Sequence, residues 1–483
     1  MYPDHIYSNK SNLDKLYLDK KKTTPSWVPN YLKLTPPIYS AIAEQLKEDI
    51  LSGKLPAHTQ LPPQRELAEY LNINLSTVTR AFKLCESNGL IYATTGRGTF
   101  VSPDAIDTNE KATKKVYPFI SMGTLKPYTE YNDVINETTQ KILSTGRTDL
   151  FDLEPFTGSI EHRNIAQQWL QRYHVDVTPE EIMITAGAQS ALQIAMMTLF
   201  HPGDRIATDR YTYPNFIQLA KLLDLELIGI AADSEGMLPE QLAILCNQNK
   251  LAGIFLMPSC CNPTTSHMSQ ARRKEIANVI SIHNLLLIED DTYGFLHVSE
   301  AITPIRSLIP ESTVYIQSLS KCFSQGLRTA YMVCPQHMNH MFLHTASQLN
   351  QKLSVLNIEI ASQLIVSGDA DRLIEKKLKK AQIRNHLFHT YFPEDTYLNT
   401  ALFQWILLPS DCNGYQFEVQ AKDNKIQILC SDHFTVNSAE CQPAIRIATC
   451  SPATDDELET GLRILKDLIA KNEFQMEHPD YIE

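Results

Sequence analysis

No run in the 483 residues approaches the roughly 18 consecutive apolar positions that a membrane-spanning helix needs. The opening MYPDHIYSNKSN lacks the apolar core of a secretion signal, so the expected setting is soluble and cytoplasmic. Cysteine is sparse for this length. The ten present form no C-x-x-C pair and no His/Cys cluster at zinc spacing, which excludes a disulfide scaffold and leaves no metal to expect. Cys260 and Cys261 are adjacent, a poor geometry for a bridge. Glycine (17) and proline (26) are too few for a fibrous or low-complexity chain. Positive charge is also short: 43 Lys and Arg against 55 Asp and Glu leave a net charge of −12, which excludes blanket attraction to phosphate backbones. What remains is an ordinary globular composition, 43% hydrophobic and 20% charged, and a length that implies about two to four domains.

The chain changes character several times. Residues 1–34 are polar and lysine-rich, with Lys20, Lys21 and Lys22 consecutive and prolines at 25 and 29, and read as a flexible arm. A compact segment occupies 35–102. Residues 103–116, without apolar periodicity, read as a linker. From 117 to 475 apolar runs such as EIMIT, RIATD, LAGIFLM, NLLLIED and VYIQS alternate with helical stretches, the pattern of an α/β domain around a mainly parallel sheet. Its last 80 or so residues, with WILLP, KIQIL and AIRIA before a helix at DDELETGLRILKDLIA, predict a smaller α+β subdomain. Residues 476–483 are a tail.

In the compact segment, Ile38, Ile42, Leu46 and Ile50 recur every four positions, as one face of a helix. Gln64 to Leu71 forms a second short helix. A third begins near Ser76, burying Val78, Ala81, Phe82 and Cys85 and turning Ser76, Thr77, Thr79, Arg80 and Lys83 outward. LIYAT and TFVS, joined at Gly96-Arg97-Gly98, predict a hairpin. Three helices and a hairpin make a winged helix-turn-helix, whose third helix enters the major groove. A guanidinium suits base edges and hydroxyls suit phosphates, although exposed polar residues occur on any small domain.

PIYSAIAEQLKEDILSGKL, LPPQRELAEYL, STVTRAF, SNGLI and GRGTFV resemble the DNA-binding domain of the GntR family of bacterial transcription regulators. The resemblance implies DNA contacts by Arg65, Thr77 and Arg80 and, at the wing tip, Arg97. Ser76 and Thr79 join them as exposed hydroxyls on the same helix. His58 stands where the family usually has glycine; histidine tolerates left-handed backbone better than most residues.

Five signals converge in the larger region. ITAGAQSALQIA runs from a strand through a glycine turn into a helix, whose first N–H groups can hold a phosphate. Asn262-Pro263 follows a buried strand. IEDDTYGFL delivers Asp290 and Tyr293 at a strand's carboxyl end, where open α/β sheets build ligand sites. VYIQSLSKCFSQGLR brings Ser318, Ser320, Lys321 and Arg328 together: an amine for a Schiff base, and hydroxyls and a guanidinium for a phosphate monoester. Arg446 is a lone arginine in an apolar strand, fit for a carboxylate or for a structural ion pair. Together these meet the demands of pyridoxal phosphate.

In order and spacing these motifs resemble the fold-type I aminotransferases related to aspartate aminotransferase, over roughly residues 120–470. The resemblance implies that Lys321 forms the Schiff base with pyridoxal 5'-phosphate and Asp290 pairs with its ring nitrogen. Asn262 and Tyr293 would bond the phenolate oxygen, and Tyr213 would stack on the ring. The backbone of Gly187, Ala188 and Gln189 would hold the phosphate with Ser318, Ser320 and Arg328, leaving Arg446 for an amino acid's carboxylate. Two positions depart from the pattern. Thr265 replaces the glycine of N-P-T-G, and Leu153 stands where relatives usually carry a tyrosine that reaches the partner subunit's phosphate.

A GntR-type winged helix joined to an aminotransferase-like domain is similar to the MocR subfamily of regulators. The resemblance implies a homodimeric regulator of double-stranded operator DNA, with or without domain swapping, that senses pyridoxal phosphate or an amino compound through Lys321. All the groups for transamination are present too, so a working aminotransferase with an accessory N-terminal domain is the alternative. The −12 charge is no obstacle: residues 37–102 carry six basic and six acidic residues, so placed cations rather than bulk charge would serve DNA.

Overall fold

The computed structural model describes residues 25–30, 37–87, 89–94, 98–102, 119–152, 155, 157–248, 250–297, 302–349, 353–393, 398–437 and 441–477. Two compact units divide the chain between residues 117 and 118.

In the first unit, three helices precede a hairpin: α1 (Ile38–Leu51), α2 (Gln64–Leu71), α3 (Leu75–Ser87), β1 (Ile91–Thr94) and β2 (Gly98–Val101). The strands pair antiparallel with Ile91 opposite Val101 and Thr94 opposite Gly98. Ile42, Leu46 and Ile50 of α1 meet Leu67 and Leu71 of α2 and Val78, Phe82 and Cys85 of α3 in one apolar core. Ile38, the first member of the four-residue repeat, is exposed at the start of its helix. Asn72 stops α2 in left-handed conformation (φ 52°), its N–H returning to the Ala68 and Glu69 carbonyls. His58 has φ 65°, a left-handed conformation that favours glycine.

The expected arm is not solvated throughout. Trp27 is only 4% exposed, part of the same core, and its indole N–H donates to Asp49 Oδ2 at 2.8 Å. The Asn30 N–H donates to Gln45 Oε1 (2.7 Å), and Ser26 Oγ donates to the Gln60 carbonyl (3.2 Å). A tryptophan buries more apolar surface than any other side chain, so it anchors the polar, proline-bounded segment around it. The rest of the arm, the linker at 103–116 and residues 478–483 of the tail lie outside the described residues, while residues 476 and 477, expected in the tail, continue the last helix.

The second unit is built on a seven-stranded sheet. Its strands are β3 (Ile182–Thr185), β4 (Arg205–Asp209), β5 (Glu226–Ile230), β6 (Gly253–Leu256), β7 (Leu286–Asp290), β8 (Thr313–Ser318) and β9 (Ala330–Val333). The spatial order is β3-β9-β8-β7-β6-β4-β5, with β9 antiparallel to both neighbours and the remaining pairs parallel. Strands β3, β6, β8 and β9 are buried at every position, as apolar runs covered on both faces require. This is the α/β sheet that the alternating pattern predicts. Because β9 runs backwards, its first residues lie at the carboxyl end of the sheet beside the last residues of β3 and β8.

A smaller three-stranded antiparallel sheet has the order β10 (Gln404–Leu407), β12 (Ala444–Ile447), β11 (Leu429–Cys430). The long helices α7 (Asp369–Tyr391) and α8 (Asp455–Glu477) belong to the same unit. No helix among the described residues is long and apolar enough to cross a membrane.

Candidate functional site

At the carboxyl end of the large sheet, the turn after β3 enters α4 (Ala188–Leu199) through Gly187, whose φ of 87° favours glycine. A Cβ at Gly187 would stand 2.9 Å from the Arg328 Nη2, so glycine is needed here for closeness as well as for conformation. Arg328 itself has φ 46° and its Nη2 donates to the Ala186 carbonyl at 3.4 Å. Register places Thr185 and Ser318 on either side of Ala330, so the glycine turn, Arg328 and the β8 terminus converge. Ser318 caps the one-turn helix α6 (Leu319–Cys322), its Oγ accepting from the Ser320 N–H (3.2 Å). Ser320 Oγ and Gln189 Oε1 are buried without a hydrogen-bond partner, and Ala188 and Gln189 open α4. A cradle of N–H groups, an orphaned hydroxyl and a guanidinium fits a phosphate monoester.

Lys321 projects from α6. Burial pulls its ammonium down to about 8, with Arg446 and Arg328 adding to that and Cys450 opposing it. Asp290, the last residue of β7, is buried and pushed up to about 6 by desolvation. Its Oδ1 accepts from the Thr292 N–H (3.0 Å) and Oγ1 (2.5 Å), which hold it in one orientation. A carboxylate kept in such a place suits a cationic ring nitrogen. Tyr293, also buried, packs edge-on against Phe403 with centroids 5.4 Å apart. Tyr213, the cap residue before α5 (Pro214–Leu222), accepts at its hydroxyl from Asn215 Nδ2 (3.0 Å). Burial raises the Tyr213 phenol, and the charges of Asp290, Arg328 and Arg446 all reach it, so these groups share one cleft.

Arg446 is on the middle strand of the small sheet, opposite Trp405 and Leu429. Its Nη1 donates to Asn262 Oδ1 (2.7 Å) and its Nη2 to the Gly123 carbonyl (2.5 Å). The rings of Phe434 and Phe403 stand 4.8 and 5.7 Å from its Cζ. Its Nε has no partner, and desolvation lowers the guanidinium to about 10. A cation held in this way by neutral groups retains its pull on an incoming carboxylate. The two aromatic walls, the Gly123 carbonyl and Thr292 are additions to the expected set. Thr292 had a local signal, a hydroxyl two residues beyond an aspartate; the others come from distant sequence.

Thr265 has φ 61°, a left-handed conformation that a β-branched residue adopts only with strain and that a glycine would adopt freely. Leu153 lies outside the described residues, as does Arg97.

In the winged-helix unit, Arg65 and Arg80 are exposed as expected, and Arg80 lies over the Tyr39 ring at 4.4 Å. The hydroxyls differ from expectation. Thr77 and Thr79 are half-buried, and Thr79 Oγ1 donates to Gln64 Oε1 (2.9 Å). Ser76 is exposed, but its hydroxyl donates to Asn74 Oδ1 (3.0 Å), which also receives the Ser76 N–H and so begins α3. The protons of Ser76 and Thr79 therefore serve the fold, leaving Arg65, Arg80 and the half-buried Thr77 as the described donors of the expected set.

Comparison with known proteins matches residues 127–464 to aminotransferase class I and II, and residues 38–101 to bacterial regulatory proteins of the gntR family. An uncharacterized HTH-type transcriptional regulator of Bacillus subtilis, YdeF, is 35% identical over 449 residues, covering 92% of this chain and 97% of its own. The pyridoxine biosynthesis transcriptional regulator PdxR of Corynebacterium glutamicum is 23% identical, covering 70% and 75%. Among solved structures, an archaeal alanine:glyoxylate aminotransferase superposes with a TM-score of 0.69 at 23% identity, covering 74% of this chain and 92% of its own, a likeness of fold.

Proposed function

Because the chain belongs to the HTH-type transcriptional regulators that join a GntR domain to an aminotransferase class I and II domain, the MocR-type family, we propose that its large domain controls DNA binding by sensing pyridoxal phosphate or an amino compound that reacts with it. The cofactor is pyridoxal phosphate. The observation that carries the residue assignment is that the charges of Arg328 and Arg446 both reach the buried Lys321, with the orphaned Ser320 Oγ one residue before it.

When bound, pyridoxal phosphate supplies an electrophilic aldehyde carbon that condenses with an amine. Lys321 is the resident amine, and its ammonium, lowered to about 8, releases a proton far more readily than a surface lysine. Asp290, fixed by Thr292, holds a proton at the ring nitrogen. Asn262, whose Oδ1 accepts from Arg446 Nη1, would bond the phenolate oxygen together with Tyr293, and Tyr213 would stack on the ring. Ala188 and Gln189 would offer their N–H groups to the phosphate, with Ser318, Ser320 and Arg328, while the Gly187 N–H turns back to the Thr185 carbonyl at 2.7 Å and shapes the turn. Arg446 draws in the carboxylate of an amino compound, which then competes with Lys321. That competition shifts DNA binding only if the two states prefer different arrangements of the chain.

Operator DNA is read by the winged helix in this proposal, with Arg65 and Arg80 as the donors and Arg97 at the wing. In this proposal the regulator works in the bacterial cytoplasm as a homodimer, as the resemblance to the MocR-type regulators implies. Purified protein should turn yellow with pyridoxal phosphate, Lys321→Ala should not, and the intact protein should retain its own upstream DNA over a scrambled duplex. Colourless protein that ignores the added cofactor would sink the sensing reading; absence of sequence preference would sink the regulatory one.

A further inference from the structure

Lys377 is a lysine at 1% exposure in the middle of α7, used by nothing in the site just described. The partners of its ammonium are two backbone carbonyls, those of Phe323 at 2.6 Å and Lys321 at 3.3 Å. These belong to the end of α6, a helix of one turn. Terminal carbonyls of a helix lack intrahelical partners, and a cation there satisfies both the lone pairs and the negative end of the dipole. The chain then leaves the helix abruptly, with Phe323 at φ −102° and ψ −89° and its ring edge-on to Trp169 at 5.3 Å. The direction in which Lys321 leaves the sheet is therefore held from behind by Lys377.

Seven residues on, two turns and about 10 Å along the same face of α7, Arg384 Nη1 donates to the Thr449 carbonyl (3.1 Å). Beside it, Asn385 Nδ2 donates to the Ala401 carbonyl (2.8 Å), and its Oδ1 accepts from Thr449 Oγ1 (3.0 Å). Thr449 lies three residues beyond Arg446. One helix thus grips the backbone at both reactive ends of the cleft.

We propose that Lys377 is the positioning residue for Lys321, its ammonium fixing the α6 turn, and that α7 ties this turn to the strand end that carries Arg446. The inference rests on the reading of Lys321 as the cofactor lysine. A buried cation bonded only to neutral oxygens is costly to keep, which argues for a task beyond packing. Burial lowers Lys377 itself to about 8; Cys322, Cys450 and Glu130 oppose that, and the charge of Lys321 adds to it.

Trace acylation of the cofactor-free, full-length protein across pH, read on Lys321 by peptide mass spectrometry, tests this without any bound cofactor. In Lys377→Met the Lys321 midpoint should rise by about one pH unit, as both the neighbouring charge and the fixed burial are lost. Retention of pyridoxal phosphate should weaken roughly tenfold, one pH unit and a factor of ten being the same free energy. Lys377→Arg, which keeps charge and donors, should recover part of both. An unchanged midpoint in folded Lys377→Met overturns the proposal, and so does a Lys377→Arg protein indistinguishable from it. If Lys377→Met does not fold, Lys377→Gln carries the same comparison, with the same upward shift expected. Wild-type protein that takes up no pyridoxal phosphate would overturn the cofactor reading while leaving the labelling comparison intact.

Discussion

Among the described residues of the winged-helix unit the buried polar side chain is Gln45, whereas the large domain buries Glu289, Asp290, Asp291, Lys377, Arg384 and Arg446. Each unit holds itself together with apolar contacts, but they put their chemistry in different places. In the proposed reading DNA is met by side chains that water already solvates, so Arg65 and Arg80 cost the fold little. A small ligand would be met by charges taken out of water and steered by neighbours, as Asp290 is by Thr292 and Arg446 by Asn262. The first unit should therefore break through its core and the second through its buried charges.

The largest effect follows from the first half of that comparison. Trp27→Ala removes the indole from the winged-helix core together with its bond to Asp49, and should destabilise that unit by about 3–5 kcal/mol. Calorimetry should show one transition lowered while uptake of pyridoxal phosphate is unchanged. An unaltered transition would mean that residues 25–30 only rest on the surface.

Asp290→Asn tests the second half with opposite signs in two measurements. Loss of a buried carboxylate facing a cationic ring nitrogen should weaken cofactor retention by about 2–3 kcal/mol. Without cofactor, that carboxylate only burdens the fold. Its folded value of about 6 lies above the ordinary 3.8, so the folded state binds its proton more tightly than the unfolded. Stability from this group is thus fully present below the unfolded value and is lost as pH rises through 6. Glu289 and Asp209, both pushed up to about 7 by burial, act in the same direction. Cofactor-free protein should gain stability as pH falls from about 8 to about 5, and Asp290→Asn should flatten part of that gain. A variant that loses stability at pH 8 would overturn the assignment.

How much of this was legible depended on the same division. The strands of the large sheet stood out because burial on both faces leaves apolar runs, and Gln64–Leu71 emerged with its bounds because its apolar spacing ends at a turn. The proposed cofactor residues stood out because a buried strand that ends in Asp290 or Ser318-Leu319-Ser320-Lys321 has few structural reasons to do so. On the DNA side periodicity misled. Thr79 sits at the border of the helix's inner face, where an angle alone does not reveal that Gln64 takes its proton. Trp27 was hidden in a polar, proline-rich stretch, and Lys377 among the lysines of IEKKLKK, where only packing separates it from its neighbours.

Arg80→Ala should cost about 1–3 kcal/mol of operator affinity if the guanidinium reads a base edge. A phosphate contact would instead weaken all sequences alike and lower the salt dependence. Thr79→Val, by contrast, should cost about 1 kcal/mol of winged-helix stability through the lost bond to Gln64 and leave the salt dependence of DNA binding unaltered. If Thr79→Val changes that slope and Arg80→Ala does not, the hydroxyls and not the arginines face the DNA.

The smallest effect concerns the loop behind Asn262. Thr265 is β-branched, is nine-tenths buried and holds φ 61°, a region where its Cβ crowds the following carbonyl. Its N–H donates to the Cys261 carbonyl (2.8 Å), a bond that fixes the turn whichever residue occupies the position. Thr265→Gly keeps that bond and removes the Cβ, at the expense of a more flexible unfolded chain. Relief of about 1–2 kcal/mol of strain outweighs an entropic term of about 0.4–1 kcal/mol, so a net stabilisation of up to about 1 kcal/mol is expected, with cofactor retention unchanged. Destabilisation by a comparable amount would show that the threonine side chain, through its Oγ1 bond to the Thr264 carbonyl at 2.6 Å, stabilises the turn more than its conformation strains it. The outcome separates the two kinds of buried feature in this domain: charges placed for a ligand, and a backbone strain that the ligand does not need.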